Sequence, residues 1–319
     1  MYLEGSNATL FPNAGTYSGA SGFNGRNPHA SDDLVRCIKA ASPTEFSFSN
    51  ASDFASFTPQ GVGVTTDTST PSKPKVMINN AGGSNGGCFW NPNVLQLAGK
   101  TVRAYYEYIF GWPDSPGGTD RGNGFTFQMV EGGLPPPPNC GTQASMGALP
   151  IADVRGLNSL TIETDVYLDA TNNDSVENHT AIMYGGNRIH SVTNGNLTTA
   201  CDGSSDGCSH TPADKFEETP TPLPHHQRIE IHTGCDAGCA HCNATTPAGP
   251  NTRITVWVDC ADCSNLRSDV DRSATPPTIQ RCIALSAAMN TFYFGLTGGF
   301  RSGTLQQGIT FSNLSIRSE

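Results

Sequence analysis

Residues 162–179, IETDVYLDATNNDSVENH, hold five carboxylates and a closing histidine within eighteen positions. Read as a strand, TIETDVYL puts Glu163, Asp165, Tyr167 and Asp169 on one face, because strand side chains alternate with a period of two. Like charges this close repel, and a packed interior penalises them further. A cation resolves both costs. Carboxylates with one imidazole suit a transition ion of the manganese type, whereas carboxylates with a backbone carbonyl suit calcium. A carboxylate that bridges both ions cancels the repulsion. The bland alternative is a solvated acidic face. Against it stands the setting: only 14% of the chain is charged, the segment is flanked by apolar β-formers, and it continues through Asp174 to His179.

The elements that must position these groups are strands. From FSF at 46–48 onward, alternating segments dominate: VMIN, TVRAYYEYIF, GFTFQMV, SLTIETDVYL, HTAIMYG, RIEIHT, RITVWVD, TFYFGLT and ITFSNLSI. Turn residues separate nearly all of them, and no βαβ rhythm competes, so the pattern predicts an all-β antiparallel sandwich. The 35 glycines and 22 prolines fit many short strands joined by turns. Residues 1–43 are Gly-, Asn- and Ser-rich, with one helix-compatible run, SDDLVRCIKAA, and read as an N-terminal extension of loops and one added strand. Residues 44–319 form the sandwich domain. PPPP at 135–138 is a stiff loop.

A net charge of −10 argues against a nucleic-acid or anionic-membrane partner. No apolar run approaches the ~20 residues of a membrane helix, so membrane insertion is not expected. Eleven cysteines in a polar chain point to an oxidising compartment, hence to a secreted or cell-surface protein. The opening MYLEGSNATLF does not read as a signal peptide, so the expectation is a mature or trimmed form. Seven N-x-S/T sequons, at Asn7, Asn50, Asn173, Asn178, Asn196, Asn243 and Asn313, fit export but arise easily in an Asn- and Thr-rich chain. Asn173 and Asn178 lie inside the acidic stretch, where a glycan would crowd Asp174 and His179, and are expected to be unmodified.

Cys239-x2-Cys242 and Cys260-x2-Cys263 have zinc-ribbon spacing. RIEIHTGC and RITVWVDC, however, read as neighbouring strands of a hairpin, with one pair in its loop and the other past its far end. Eight or so extended residues span roughly 25 Å, which no single zinc ion bridges. Disulfides are the better reading, with Cys201 and Cys208 as a local staple. An odd total leaves at least one thiol free or paired outside the chain. His225 and His226, in PLPHHQ, read as a solvated turn, and Trp90, Trp112 and Trp257 as core or interface anchors.

The acidic stretch resembles the two-metal site of the legume, or L-type, lectins of the concanavalin A-like fold. That family's motif is Glu, Asp two residues on, an aromatic two further, Asn two further, Asp after four intervening residues and His after four more. Glu163, Asp165, Tyr167, Asp169, Asp174 and His179 stand at those spacings, with only Asp169 departing from the pattern. The resemblance implies a jelly-roll sandwich with two ions. Glu163, Asp165, Asp174 and His179 would hold manganese or another transition ion, and Asp165, the Tyr167 carbonyl, Asp169 and Asp174 calcium. RGNGFTFQMV resembles the strand carrying the first sugar-binding loop, with Asn123, before Gly124, where the family has Asp. CGTQASMGALP corresponds weakly to the second loop, through Gly147. FGLTGGFRSG resembles the late loop, with Gly298, Gly299 and Phe300. The likeness spans roughly residues 45–319.

It implies a metal-dependent glycan-binding protein without catalysis, its sugar contacts drawn from Asn123, Gly124, Gly147, Asp169, Gly298, Gly299 and Phe300. Tyr167 and Phe300 are the aromatic candidates beside them. Two alternatives compete. A surface filament subunit or adhesin would use residues 1–43 to add a strand to a neighbouring copy or filament partner. A glycoside hydrolase on this sandwich needs a second carboxylate about 5 Å from the first, and Leu168 stands where its Glu should be.

Overall fold

The alternating segments pair as two antiparallel sheets. The computed structural model describes residues 44–47, 55–61, 63–79, 86–111, 123–137, 139–142, 146–149, 158–166, 179–185, 197–201, 223–233, 252–260, 263–299 and 308–319, all within the compact unit Thr44–Glu319. The extension at 1–43, with its helix-compatible run, lies outside the described residues.

Strands are numbered along the chain. A rear sheet runs in the order β14 (Ile279–Ile283), β13 (Thr252–Val258), β12 (His225–Thr233), β7 (Thr101–Gly111), β16 (Gly308–Ser318), β4 (Lys75–Asn79) and β3 (Val64–Asp67). β1 (Thr44–Ser47) pairs with the last part of β16. A front sheet runs β11 (Leu197–Cys201), β10 (His179–Tyr184), β9 (Ser159–Asp165), β8 (Gly124–Glu131), β15 (Thr291–Gly299), β5 (Gly86–Trp90) and β2 (Thr58–Gly61), with β6 (Leu95–Gln96) on β15. The only helical element among the described residues is a 3-10 turn, Ala287–Asn290, capped by Ser286.

Inward-facing aromatics fuse the two sheets. Tyr106, Tyr108 and Phe110 of β7 meet Phe125 and Phe127 of β8, with Tyr108 and Phe125 ring centres 4.8 Å apart and Tyr106 stacked on Phe127 at 6.0 Å. A polar link crosses this apolar layer. The Tyr106 hydroxyl donates to Gln227 Oε1, and Gln227 Nε2 reaches the Thr180 and Thr164 hydroxyls at 3.4 and 3.5 Å. Buried polar groups that satisfy one another specify register, because any slip leaves them unpaired at about 1–3 kcal/mol each. Here they lock β9 and β10 against β12.

The β12–β13 hairpin forms as its sequence implies, with Gln227 opposite Val258 and Thr233 opposite Thr252. Cys260 and Cys263 form a disulfide beyond its second strand, and Cys88 is bonded to Cys140. Cys282 is also disulfide-bonded. Cys208, Cys239 and Cys242 lie outside the described residues, as does Trp112, while Trp90 and Trp257 are buried as expected. Of the sequons, only Asn313 falls among the described residues. It is exposed, with φ 51°, at the bulge of β16 between Ser312 and Ser315.

The reading of His225 and His226 as a solvated turn is corrected. Both lie in β12, and His225 is buried, its ring stacked 5.4 Å from Tyr108 and its Nδ1 2.8 Å from Asp259 Oδ2. Pro224 and paired histidines look turn-like in isolation. Pairing with β7 and the Asp259 carboxylate at the end of β13 supply what those side chains need in a strand.

The outer face of the rear sheet carries a strap, residues 263–278, held by buried charges. The Arg228 guanidinium donates to the carbonyls of Cys263, Asn265 and Ser268 at 2.8–2.9 Å and to Glu230 Oε1 at 2.8 Å. Glu230 Oε1 also accepts from the Val270 N–H. Arg103 binds Asp269, Glu319 and the Leu266 carbonyl. Beneath the strap, Trp257 and Tyr105 pack with Leu266 and the Cys260–Cys263 bridge.

Burial alone would push the Glu230 carboxyl up, but hydrogen bonds from His232 and the Val270 N–H, with the Arg228 charge, outweigh it and hold it below its ordinary range. The Arg103 hydrogen bond likewise lowers Glu319. A carboxyl with a depressed folded pKa adds stability that is complete above the unfolded value and is lost as pH falls through the folded one. The expected result is strap release on acidification from about pH 4 downward. It is read as a red shift of Trp257 emission that precedes loss of far-ultraviolet β signal. Coincident transitions would contradict it.

Candidate metal centre at the end of the front sheet

Strand period and pairing register place the first half of the acidic motif. In β9, Leu160, Ile162 and Thr164 face the core, so Thr161, Glu163 and Asp165 face outward. The β9–β10 register sets His179 opposite Asp165 and Ala181 opposite Glu163. Residues fourteen and sixteen positions apart thereby share one surface. Ligand atoms of Glu163, Asp165 and His179 lie within 4.8 Å of one another, and His179 Nε2 is 3.8 Å from Glu163 Oε2.

All three side chains are buried, at 2%, 3% and 0% exposure, which rules out the solvated acidic face. Two carboxyl groups thus face one imidazole in a buried cluster. The donor set fits a divalent ion. Its spread is one that small side-chain rotations close around an ion bonding at about 2 Å, and oxygen with imidazole donors is the mixture expected of a transition-ion site. Tyr167, Asp169 and Asp174 lie outside the described residues.

Asn123 borders the trio. Its N–H donates to the Gly299 carbonyl at 3.0 Å, and its own carbonyl accepts from the Val166 N–H at 3.2 Å, so it is strung between β15 and the end of β9. Gly124 is opposite both Asp165 and Gly299. Its φ is +126°, and a Cβ there would stand 2.2 Å from the Thr164 carbonyl oxygen. Only glycine lets β8 begin so close to the carboxylate strand.

The remaining glycines divide. Gly299 lies at the same sheet end, whereas the side of Gly298 that would carry a Cβ faces the core, 3.3 Å from Ile78 and 3.4 Å from Ile309. Gly147 is buried beside Gly298, its N–H given to the Thr142 carbonyl and its carbonyl accepting from Gly141. Both therefore shape the site rather than offer free polar groups to it. Phe300 lies outside the described residues.

A second cluster, Glu230, His232 and Asp269, has metal-like spacing and was not singled out from sequence. Two guanidiniums already occupy it, Arg228 at 2.8 Å from Glu230 and Arg103 at 2.6 Å from Asp269. Fixed positive charge repels a divalent cation, so this cluster anchors the strap. The alternation Arg228-x-Glu230-x-His232 on one face of a strand was the available signal.

No protein-family model and no curated protein matches the chain. Solved structures do. Peanut lectin bound to a peptide superposes with a TM-score of 0.52 at 14% identity, covering 88% of this chain and 99% of its own. Winged bean acidic lectin, complexed with methyl-α-D-galactose, gives 0.56 at 11% identity, covering 87% and 98%. The Bauhinia forficata lectin, in complex with GalNAc, gives 0.51 at 14% identity, covering 87% and 99%. The chain has the legume-lectin, or L-type lectin, fold.

Proposed function

We propose that this protein is an extracellular, metal-dependent lectin that binds glycans without turning them over. The observation that carries the reading is the buried Glu163–Asp165–His179 trio at the same sheet end as Asn123 and Gly124. The fold shared with sugar-complexed plant lectins supports it. Glu163, Asp165 and His179, joined by Asp174, would hold a transition ion. Asp165, Asp174, Asp169 and the Tyr167 carbonyl would hold calcium. The ions supply neutralisation of the buried carboxylates and a fixed loop geometry. Preorganisation matters because each sugar hydroxyl exchanges well-bonded water for protein at a small net gain.

A printed glycan array, probed with and without calcium and manganese, tests the function directly. Binding to a defined set of sugars only in the presence of cations is expected. No binding in either condition would end the reading.

The family's Asp and Asn stand exchanged here, as Asn123 and Asp169. With Asp169 as a calcium ligand, the cluster carries four carboxylates against two divalent ions. Asp169→Asn should therefore weaken calcium binding, about tenfold for a loss of roughly 1.4 kcal/mol. Asn123→Asp should strengthen sugar capture by adding a carboxylate acceptor. Calorimetric titration checks the first. Unchanged calcium affinity would remove Asp169 from the ligand set.

A further inference from the structure

The outer face of the front sheet is covered over β5, β8 and β15 by residues 139–142 and 146–149. Cys140 is bonded to Cys88 of β5, tying together positions 52 residues apart. Leu149 packs with Cys88, Trp90, Val130 and Tyr293 in a small apolar cluster separate from the main core. Three polar side chains complete the seat. Thr297 donates to the Met146 carbonyl at 2.6 Å while its hydroxyl lies 2.7 Å from that of Thr126, and Gln128 Oε1 accepts from the Leu149 N–H at 2.9 Å. All three outward polar residues are essentially buried.

The seat is tight at one point. A Cβ on Gly147 would stand 2.7 Å from the carbonyl oxygens of both Gly298 and Gly87, so the loop rests directly on the backbones of β15 and β5. One residue further along β15, Gly299 accepts the Asn123 N–H. The loop therefore bears on the strand end from which Asn123 is hung.

We propose that Thr297, Gln128 and the Cys88–Cys140 disulfide are positioning residues of the glycan site. They hold residues 139–142 and 146–149 on the end of β15 and so fix the backbone that presents Asn123. The inference rests on the lectin reading above. A cross-link over this separation restricts the unbonded chain, and the two hydrogen bonds select one seated arrangement. Without them the seated loop becomes one state among several, and glycan affinity falls in proportion to the seated fraction. Metal affinity does not, because Glu163, Asp165 and His179 lie on β9 and β10, beyond β8.

The test uses the full chain with Cys88→Ala/Cys140→Ala and, separately, Thr297→Val and Thr297→Ser. Three quantities are read: hydrogen exchange at the Gly147 and Leu149 amides, manganese and calcium affinity, and affinity for the strongest sugar on the array. The cysteine pair and Thr297→Val should lose amide protection and about tenfold in glycan affinity, corresponding to a seated fraction near one tenth. Metal affinity should stay within about twofold, and Thr297→Ser, which keeps the hydroxyl, should retain glycan binding. Unchanged glycan affinity in the cysteine pair and Thr297→Val, or parallel loss of metal and glycan binding, overturns the positioning role. Wild-type protein that captures no sugar overturns the lectin reading instead, and this inference with it.

Discussion

Stripping divalent cations should lower the thermal unfolding midpoint by about 10 °C, and restoring calcium and manganese should recover it. The magnitude follows from mass action. An ion present at about a hundred times its dissociation constant adds about 2.7 kcal/mol to the folded state, so two add about 5 kcal/mol. A domain of this size shifts by about 2 °C per kcal/mol. The expected source is the buried Glu163 and Asp165 pair, whose repulsion a divalent ion would remove in the folded state alone. Glu163→Gln keeps the volume and removes one charge. It should reduce the response to manganese more than the response to calcium. Scanning calorimetry decides the matter, and a midpoint indifferent to chelation would exclude a stabilising ion at this trio.

Arg228→Ala should cost about 3–5 kcal/mol, the largest effect expected of a single substitution. The side chain is fully buried, and its loss strands the Glu230 charge together with three strap carbonyls. Arg228→Lys should recover little, since an ammonium cannot reproduce a planar fork that serves four acceptors. Arg228→Met with Glu230→Leu should recover most of it, because apolar replacement of a whole buried pair is close to neutral. Denaturant titration measures the stability. Trp257 provides the local readout, because its indole N–H donates to Thr275 within the strap. Arg228→Ala should expose that indole and shift its emission to the red. A loss below about 1 kcal/mol would mean that the strap contributes little and that water replaces the guanidinium.

The strands of the main core, such as TVRAYYEYIF and GFTFQMV, were legible because their β-branched and aromatic residues alternate over seven or more positions. β2, β3, β5, β6, β11 and β14 were not. GGCFW opens on two glycines and is five residues long, yet it forms β5, with Trp90 lying across Gly295 of the neighbouring strand. Short strands draw their stability from neighbours that local pattern does not name. The His225 misreading has the same origin.

Spacing within the acidic stretch was enough to place Glu163 and Asp165 on one face, since strand side chains alternate whatever surrounds them. Hairpin pairing was likewise readable, and with it the choice of disulfide over zinc at Cys260 and Cys263. What periodicity cannot report is whether an outward face meets water. The outer faces of both sheets are covered in part by segments with no regular pattern, the strap at 263–278 and residues 139–142 and 146–149. Their anchors are remote in sequence: Arg103 lies 163 residues before Leu266, and Thr297 lies 151 after Met146. The chain alone determined which side chains share a face and what chemistry they are suited to, because that depends on local geometry. Tertiary structure alone decided that these polar groups are buried and what they hold, because burial is set by whichever distant backbone comes to lie over them.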